Sequence, residues 1–132
     1  LKRLEKDLKL KNKINWLGFV VDIEDFFREI EIFILASRFE GFGMVLLEAM
    51  DFGKRIVASN NSAISEIILK HNAGLLFTTS DESDLVEKVL KISSIENEIL
   101  VNARTQTLNE YSCAKMVTKL LDYYDSLYRK LS

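Results

Sequence analysis

Apolar and polar residues alternate along the chain in blocks that predict strands and helices in turn. Near-continuous apolar runs, typical of buried strands, occupy 14–20, 31–36, 55–59 and 75–77. Apolar residues at helical spacing occupy 1–11, 22–28, 44–52, 64–70, 96–109 and 112–131. Asp22 is expected to cap the helix at 22–28, and a further helix is expected after a cap at Thr79 or Ser80. Strands alternating with helices predict an α/β fold, with a Rossmann-like parallel sheet covered by helices on both faces.

Length and composition are those of one ordinary domain over residues 1–132, with 48% hydrophobic and 29% charged residues. A formal net charge of −2 gives no electrostatic reason to expect a nucleic-acid partner. The single cysteine allows no internal disulfide, which favours a reducing compartment. No apolar run approaches the roughly 18 residues of a membrane span, and the start does not resemble a signal peptide. We therefore expect no transmembrane segment and a cytoplasmic location, with peripheral attachment to the inner membrane face left open.

The loop between the run at 31–36 and the helix at 44–52 carries the most chemical information. It follows the carboxyl end of a predicted strand, where parallel sheets bind ligands. Gly41 and Gly43 allow close approach of backbone to a ligand. The helix that follows presents free N–H groups and the positive end of its dipole, which suit a phosphate.

Two carboxylates flank this loop and helix, because Glu40 lies in the loop and Glu48 lies within the helix. Glu48 has mainly apolar neighbours, and a glutamate is almost never fully buried without a partner. An unpaired buried charge is costly, so Glu48 needs a donor from the protein or from a ligand. One interpretation is a cap at Glu40 and a structural carboxylate at Glu48. The other is a site for an elongated ligand with hydroxyls at two places and phosphate between them, as in a nucleotide-sugar.

These residues resemble the donor-binding signature of the retaining glycosyltransferases of family four, also called group 1 glycosyl transferases, which have the two-domain GT-B fold. The similarity covers most of residues 14–78. The matching segments are Trp16–Val20, Glu31–Ser37, Glu40–Gly43, Glu48–Met50, Gly53, Val57–Ser59, Glu66–Ile68 and Gly74–Phe77. A pair of glutamates at this spacing is a weak signal alone, but the pair with its flanking segments is a strong one.

The resemblance implies roles for particular residues. Glu40 would be the catalytic-site residue that contacts hydroxyls of the transferred sugar, and Glu48 would hold the ribose hydroxyls of the nucleotide. The remaining donor-binding residues would be Gly41, Phe42, Gly43 and Met44 around the sugar and diphosphate, and Gly18, Phe19 and Val20 near the base. The family retains anomeric configuration and usually needs no metal here. We therefore expect a nucleoside-diphosphate sugar as donor substrate, no metal and no separate cofactor.

The chain also departs from the family pattern. Arg55 stands where the family has proline. The two strands that begin the family's carboxy-terminal domain, and the arginine and lysine that follow the first of them, have no counterpart. The amino-terminal acceptor-binding domain is also missing. We therefore expect the carboxy-terminal half of a GT-B fold without its first two strands, as part of a longer glycosyltransferase. The absent strands would belong to the middle of the sheet and leave unpaired edges.

The leading hypothesis is transfer of a hexose with retention, once this donor-binding domain is joined to its acceptor domain; alone, the stretch is expected to be inactive. The alternative is a catalytically inactive remnant or nucleotide-binding module of the same fold. A signalling receiver domain would need an acidic pair and a phosphorylatable aspartate, and neither is visible. A GT-B epimerase stays open, but its acid–base residues cannot be located. The sequence leaves the sugar, the nucleotide, the acceptor and the oligomeric state open.

Overall fold

The computed structural model describes residues 1–131, apart from the side chains of Ser62 and Leu131. Three strands alternate with helices in the described part. The strands are β1 (Ile32–Leu35), β2 (Arg55–Ser59) and β3 (Gly74–Phe77). The helices are α1 (Lys2–Asp7), α2 (Ile23–Glu29), α3 (Met44–Asp51), α4 (Ser62–His71), α5 (Glu82–Ile92), α6 (Asn97–Tyr111) and α7 (Cys113–Leu131).

The strands form one parallel sheet in the order β1-β2-β3, with α3 and α4 as its crossover connections. In the register, Ile34 lies beside Val57, and Val57 lies beside Leu75. Because the strands are buried between helices, their residues are mostly apolar on both faces. The prediction of a Rossmann-like parallel sheet is confirmed.

Two apolar clusters fill the spaces on the two faces of the sheet. The larger cluster joins the sheet to α2, α3, α4 and α6, and Phe27 lies at its centre with no exposed area. The ring of Phe27 stacks on Phe52 with centroids 5.2 Å apart and contacts Phe33 at 5.6 Å. The smaller cluster packs Ile92 of α5 against Val57 and other residues of β2 and β3. Helices therefore cover both faces, as expected.

Local capping signals in the sequence set most helix starts. The carboxylate of Asp22 accepts a hydrogen bond from the Asp25 N–H at 3.0 Å, so the predicted cap of α2 is confirmed. The predicted cap of α5 at Thr79 or Ser80 is wrong, because Asp81 caps that helix through the Asp84 N–H. Ser80 instead adopts a left-handed backbone conformation with φ of 66°. An N-cap residue needs extended backbone, so Ser80 serves the turn before the cap.

The prediction of a strand at 14–20 is wrong. This segment forms no ladder, and Phe19 is 91% exposed. A strand has no internal hydrogen bonds of its own and forms only beside another strand. β1 is one edge of the three-stranded sheet, and among the described residues no strand pairs with that edge. Residues 14–20 therefore have no neighbouring strand to complete their hydrogen bonds.

Candidate functional site

The loop after β1 lies at the carboxyl edge of the sheet and leads directly into α3. Gly43 is the N-cap of α3 and adopts a left-handed conformation with φ of 75°. A side chain there would strain the backbone, and its Cβ would lie 3.2 Å from Leu46 Cδ1. The Gly43 carbonyl accepts a hydrogen bond from the Leu46 N–H at 2.8 Å. The sequence thus places the start of α3, and its free N–H groups, beside the loop.

A polar network holds the beginning of this loop against the end of β2. The Ser37 carbonyl accepts hydrogen bonds from Ser59 Oγ at 2.6 Å and from Asn61 Nδ2 at 3.0 Å. Asn61 also caps α4 through the Ile64 N–H. Neither Ser59 nor Asn61 was among the residues predicted for the site. A usable signal was their position, since both are polar residues at the carboxyl end of a buried strand.

Glu40 is half-buried and borders a depression of about 360 Å³, which Arg38, Gly41 and Asn61 also line. A second depression of about 420 Å³ shares Arg38 and continues over the strand ends at Ser59. The two depressions therefore form adjoining hollows above the carboxyl edge of the sheet. Arg38 is exposed and brings a positive charge to both of them.

Glu48 lies on the face of α3 that looks toward α6. It is half-buried and borders a separate depression of about 240 Å³, together with Met44, Thr107 and Tyr111. Among the described side chains, no hydrogen-bond donor or cation contacts the carboxylate of Glu48 or that of Glu40. Both carboxylates therefore keep their acceptor capacity for another molecule.

The structure brings some of the predicted residues together and leaves others apart. Gly41 joins Glu40, and Met44 joins Glu48, so the two carboxylates border different depressions at either end of the loop. Phe42 is half-exposed between them, and its ring contacts Tyr111. The segment 18–20 borders none of these depressions, with Gly18 in a left-handed conformation. Its assignment to the nucleotide base stays a prediction.

The turn after β3, beside the second depression, is held by a charged pair. Lys88 contacts Asp84 at 2.8 Å, and the Thr78 N–H donates to Asp84 Oδ2 at 2.7 Å. The hydrogen bond from Lys88, followed by that from Thr78, lowers the pKa of Asp84 to about 2. Asp84 is therefore ionised at neutral pH and secures the turn that borders the depression.

The described residues contain neither a cluster of metal-binding side chains nor a helix that could span a membrane. Within residues 1–131, no group of three or more histidine, cysteine, aspartate or glutamate side chains is arranged to hold a metal ion. Of the helices that the structure describes, none combines the length and hydropathy that crossing a bilayer requires.

The known proteins with sequences similar to this chain include glycosyltransferases. The family model described as "Glycosyl transferases group 1" matches residues 1–109. An Escherichia coli UDP-Gal:alpha-D-GlcNAc-diphosphoundecaprenol alpha-1,3-galactosyltransferase is 25% identical over 122 residues, which cover 91% of this chain and 32% of that protein. The lipopolysaccharide core biosynthesis mannosyltransferase LpcC of Rhizobium leguminosarum bv. viciae is 35% identical over 80 residues, covering 61% of this chain and 23% of LpcC. The chain thus spans about a third or less of these relatives.

Solved structures agree with this relationship. A glycosyltransferase from Rickettsia africae ESF-5 has a TM-score of 0.86 and 28% identity, covering 96% of this chain and 35% of that one. Anabaena Alr3699/HepE in complex with UDP and glucose has a TM-score of 0.84 at 22% identity, a likeness of fold that covers 95% of this chain and 35% of HepE. The family match over most of the chain, and the parallel sheet shared with these structures, show that this chain belongs to the group 1 glycosyl transferases and has the Rossmann-like architecture of the GT-B fold.

Proposed function

We propose that this chain is the donor-binding domain of a retaining hexosyltransferase. It would bind a nucleoside-diphosphate sugar and pass the hexose to an acceptor held by an amino-terminal domain. The observation that carries the proposal is the pair of half-buried glutamates around the glycine-rich loop, neither of which has a partner among the described side chains. A carboxylate without a protein donor is suited to accept hydrogen bonds from ligand hydroxyls.

The arrangement divides the donor into three parts. The start of α3, with the backbone N–H groups of Phe42, Gly43 and Met44, would face the diphosphate, because N–H groups and the helix dipole favour negative charge there. Glu40 would accept hydrogen bonds from the sugar hydroxyls, and Glu48 from the ribose hydroxyls. Catalysis would then rest on orientation of the donor and stabilisation of charge on the leaving diphosphate.

Arg38 is the candidate source of positive charge for the diphosphate. The arginine and lysine that the family carries after an earlier strand have no match in this chain. Arg38 borders both hollows above the carboxyl edge of the sheet. A guanidinium group at this position could form two parallel hydrogen bonds with a phosphate.

A uridine nucleotide is the first donor to test. The related HepE structures contain UDP, UDP with glucose, or UDP-glucose. The proposal assigns the nucleotide-sugar the role of substrate and includes no metal or other cofactor. It also assigns the protein to the cytoplasm, which its single cysteine favours.

Calorimetry with UDP and UDP-glucose tests the two glutamates separately. Glu48→Gln is expected to lower the affinity for both ligands about tenfold or more, which is the range for lost hydrogen bonds to a charged group. Glu40→Gln is expected to lower the affinity for UDP-glucose but not for UDP, because only UDP-glucose carries the sugar. Glu31→Gln is the matched control, since exposed Glu31 lies at the opposite end of β1. Equal losses of both ligands from Glu40→Gln would count against the assignment.

A nucleotide-binding module without activity is the second candidate. It is the alternative for the printed residues taken alone, which cover about a third of the two solved structures compared above. The two candidates differ in a turnover assay of the printed chain with UDP-glucose. Release of glucose, or its transfer to an added acceptor, would eliminate the inactive module.

A further inference from the structure

We propose that Tyr111 is a positioning residue for the donor-binding loop, and that it acts by packing against Phe42. Its effect on ligand binding rests on the proposed function, whereas its effect on the loop does not. Tyr111 is the last residue of α6, and Phe42 lies between Gly41 and Gly43. The two ring centroids are 6.1 Å apart at an interplanar angle of 73°, an edge-to-face contact.

The other side of Tyr111 is held by a buried polar group. The ring of His71, at the end of α4, lies 5.6 Å from the Tyr111 ring, and its Nε2 is 3.4 Å from the Tyr111 hydroxyl. The His71 side chain is only 2% exposed, and its Nδ1 lies 3.4 Å from Gln106 Oε1. Glu110, which pairs with Lys70, lies 3.5 Å from His71 Nε2. These contacts tie the end of α6 to the end of α4.

In this arrangement Tyr111 is a held side chain against which a conformationally flexible loop packs. Glycines on both sides of Phe42 allow the loop many backbone conformations. The loop packs Phe42 against Tyr111, so loss of that ring removes support for one conformation. An aromatic contact of this kind changes the population of the loop conformation that it stabilises about two- to tenfold. Burial is the main cause that raises the pKa of Tyr111, so its hydroxyl stays neutral beside His71.

Tyr111 also borders the depression that contains Glu48 and Met44. One side chain therefore contacts the loop proposed for the diphosphate and lines the hollow proposed for the ribose. A residue that only filled the core would have neither relation to the ligand. This difference gives two readouts, one without ligand and one with it.

The first experiment measures the order of the loop without ligand. Backbone order parameters at residues 41–43 are expected to fall in Tyr111→Ala from the rigid range near about 0.85 toward the flexible range below about 0.6. Tyr111→Phe keeps the ring and is expected to keep the wild-type values, and β2 is expected to be unchanged in both variants. An unchanged loop in Tyr111→Ala, or an equal fall in β2, would overturn the proposal. An equal fall in Tyr111→Phe would overturn the ring contact as its cause.

The second experiment measures UDP affinity in a double-mutant cycle with Phe42→Ala. Tyr111→Ala alone is expected to lower the affinity for UDP about two- to tenfold. In the Phe42→Ala background it is expected to have a clearly smaller effect, because the part of its action that passes through Phe42 is then already lost. The same loss in both backgrounds would overturn the proposal. Tyr124→Ala, an exposed tyrosine on α7, is the control with unchanged affinity. If the wild-type chain binds no UDP, the proposed function fails, and the loop measurement still decides the role of Tyr111.

Discussion

The first 21 residues and the sheet region after them both contain large apolar side chains, but only the sheet region buries them. Among the side chains that the structure describes, every buried one lies between Phe27 and Thr107. Residues 1–21 contain several large apolar side chains, yet none of them is buried. An apolar pattern therefore indicates which residues favour burial, but burial itself requires a surface that completes the layer.

The segment 14–20 and α7 show how strands and helices differ when such a surface is absent. Both have an apolar pattern, and most of the apolar face of α7 is exposed, with Leu121 at 59%. The helix nevertheless forms, because its backbone hydrogen bonds lie within the helix. The segment 14–20 forms no strand, because its bonds would have to come from a neighbouring strand. A predicted helix is thus more robust than a predicted strand to missing neighbours.

Substitution of one phenylalanine in each region would test this comparison most strongly. Phe27→Ala is expected to lower the free energy of unfolding by about 3–5 kcal/mol, because it opens a cavity among packed rings. Phe19→Ala is expected to change it by less than about 0.5 kcal/mol, because that side chain is exposed. Urea denaturation monitored by circular dichroism measures both. A large effect of Phe19→Ala would show that residues 1–21 pack against the domain in solution.

A pair of glycines gives a second, smaller contrast. Gly74 lies beside Ile56 in the sheet register, and a Cβ on Gly74 would lie 2.2 Å from the Ile56 carbonyl oxygen. Gly74→Ala is therefore expected to destabilise the fold by about 1–3 kcal/mol, as overpacking does. Gly41→Ala is the control, because no atom outside its chain neighbours lies within 4 Å of a Cβ there. Thermal unfolding of the two variants measures the difference, and equal melting temperatures would contradict the close approach of β2 and β3.

The pH dependence of unfolding tests the charged pair at the turn after β3. The folded pKa of Asp84, about 2, lies below its ordinary value of 3.8. Asp84 therefore adds stability above its unfolded pKa, and that contribution is lost as the pH falls from about 4 through about 2. Asp84→Asn is expected to lower stability at pH 7 and to reduce the slope between pH 4 and pH 2. Urea titrations at several pH values measure this, and an unchanged slope would contradict the ionised pair.

Local signals in the sequence predicted most of the sheet region. Asp22 predicted the start of α2, and the start of α3 at Met44 followed from the glycine-rich turn before it. The cap of α5 was missed because Thr79, Ser80 and Asp81 are neighbours with similar capping chemistry, and only the backbone conformation separates them. Such errors of one or two residues are typical where capping residues cluster.

The candidate site was predictable only in part. Glu40 and Glu48 stand out because carboxylates are unusual beside glycines and among apolar residues. The contact of Phe42 with Tyr111 joins residues far apart in the chain, and the helical pattern of α6 does not indicate which part of the fold its last residue meets. The support of Ser37 by Ser59 and Asn61 likewise depends on the pairing of β1 with β2.

The sequence by itself determined the alternation of strands and helices, the starts of several helices, and the family signature around the glycine-rich loop. These follow from backbone preferences and side-chain periodicity, which act over a few neighbouring residues. Only the tertiary structure decided that 14–20 stays outside the sheet, that the two glutamates border separate depressions, and that Tyr111 packs against Phe42. Each of these depends on which distant surfaces meet, because strand pairing and side-chain packing are formed between elements and not within them.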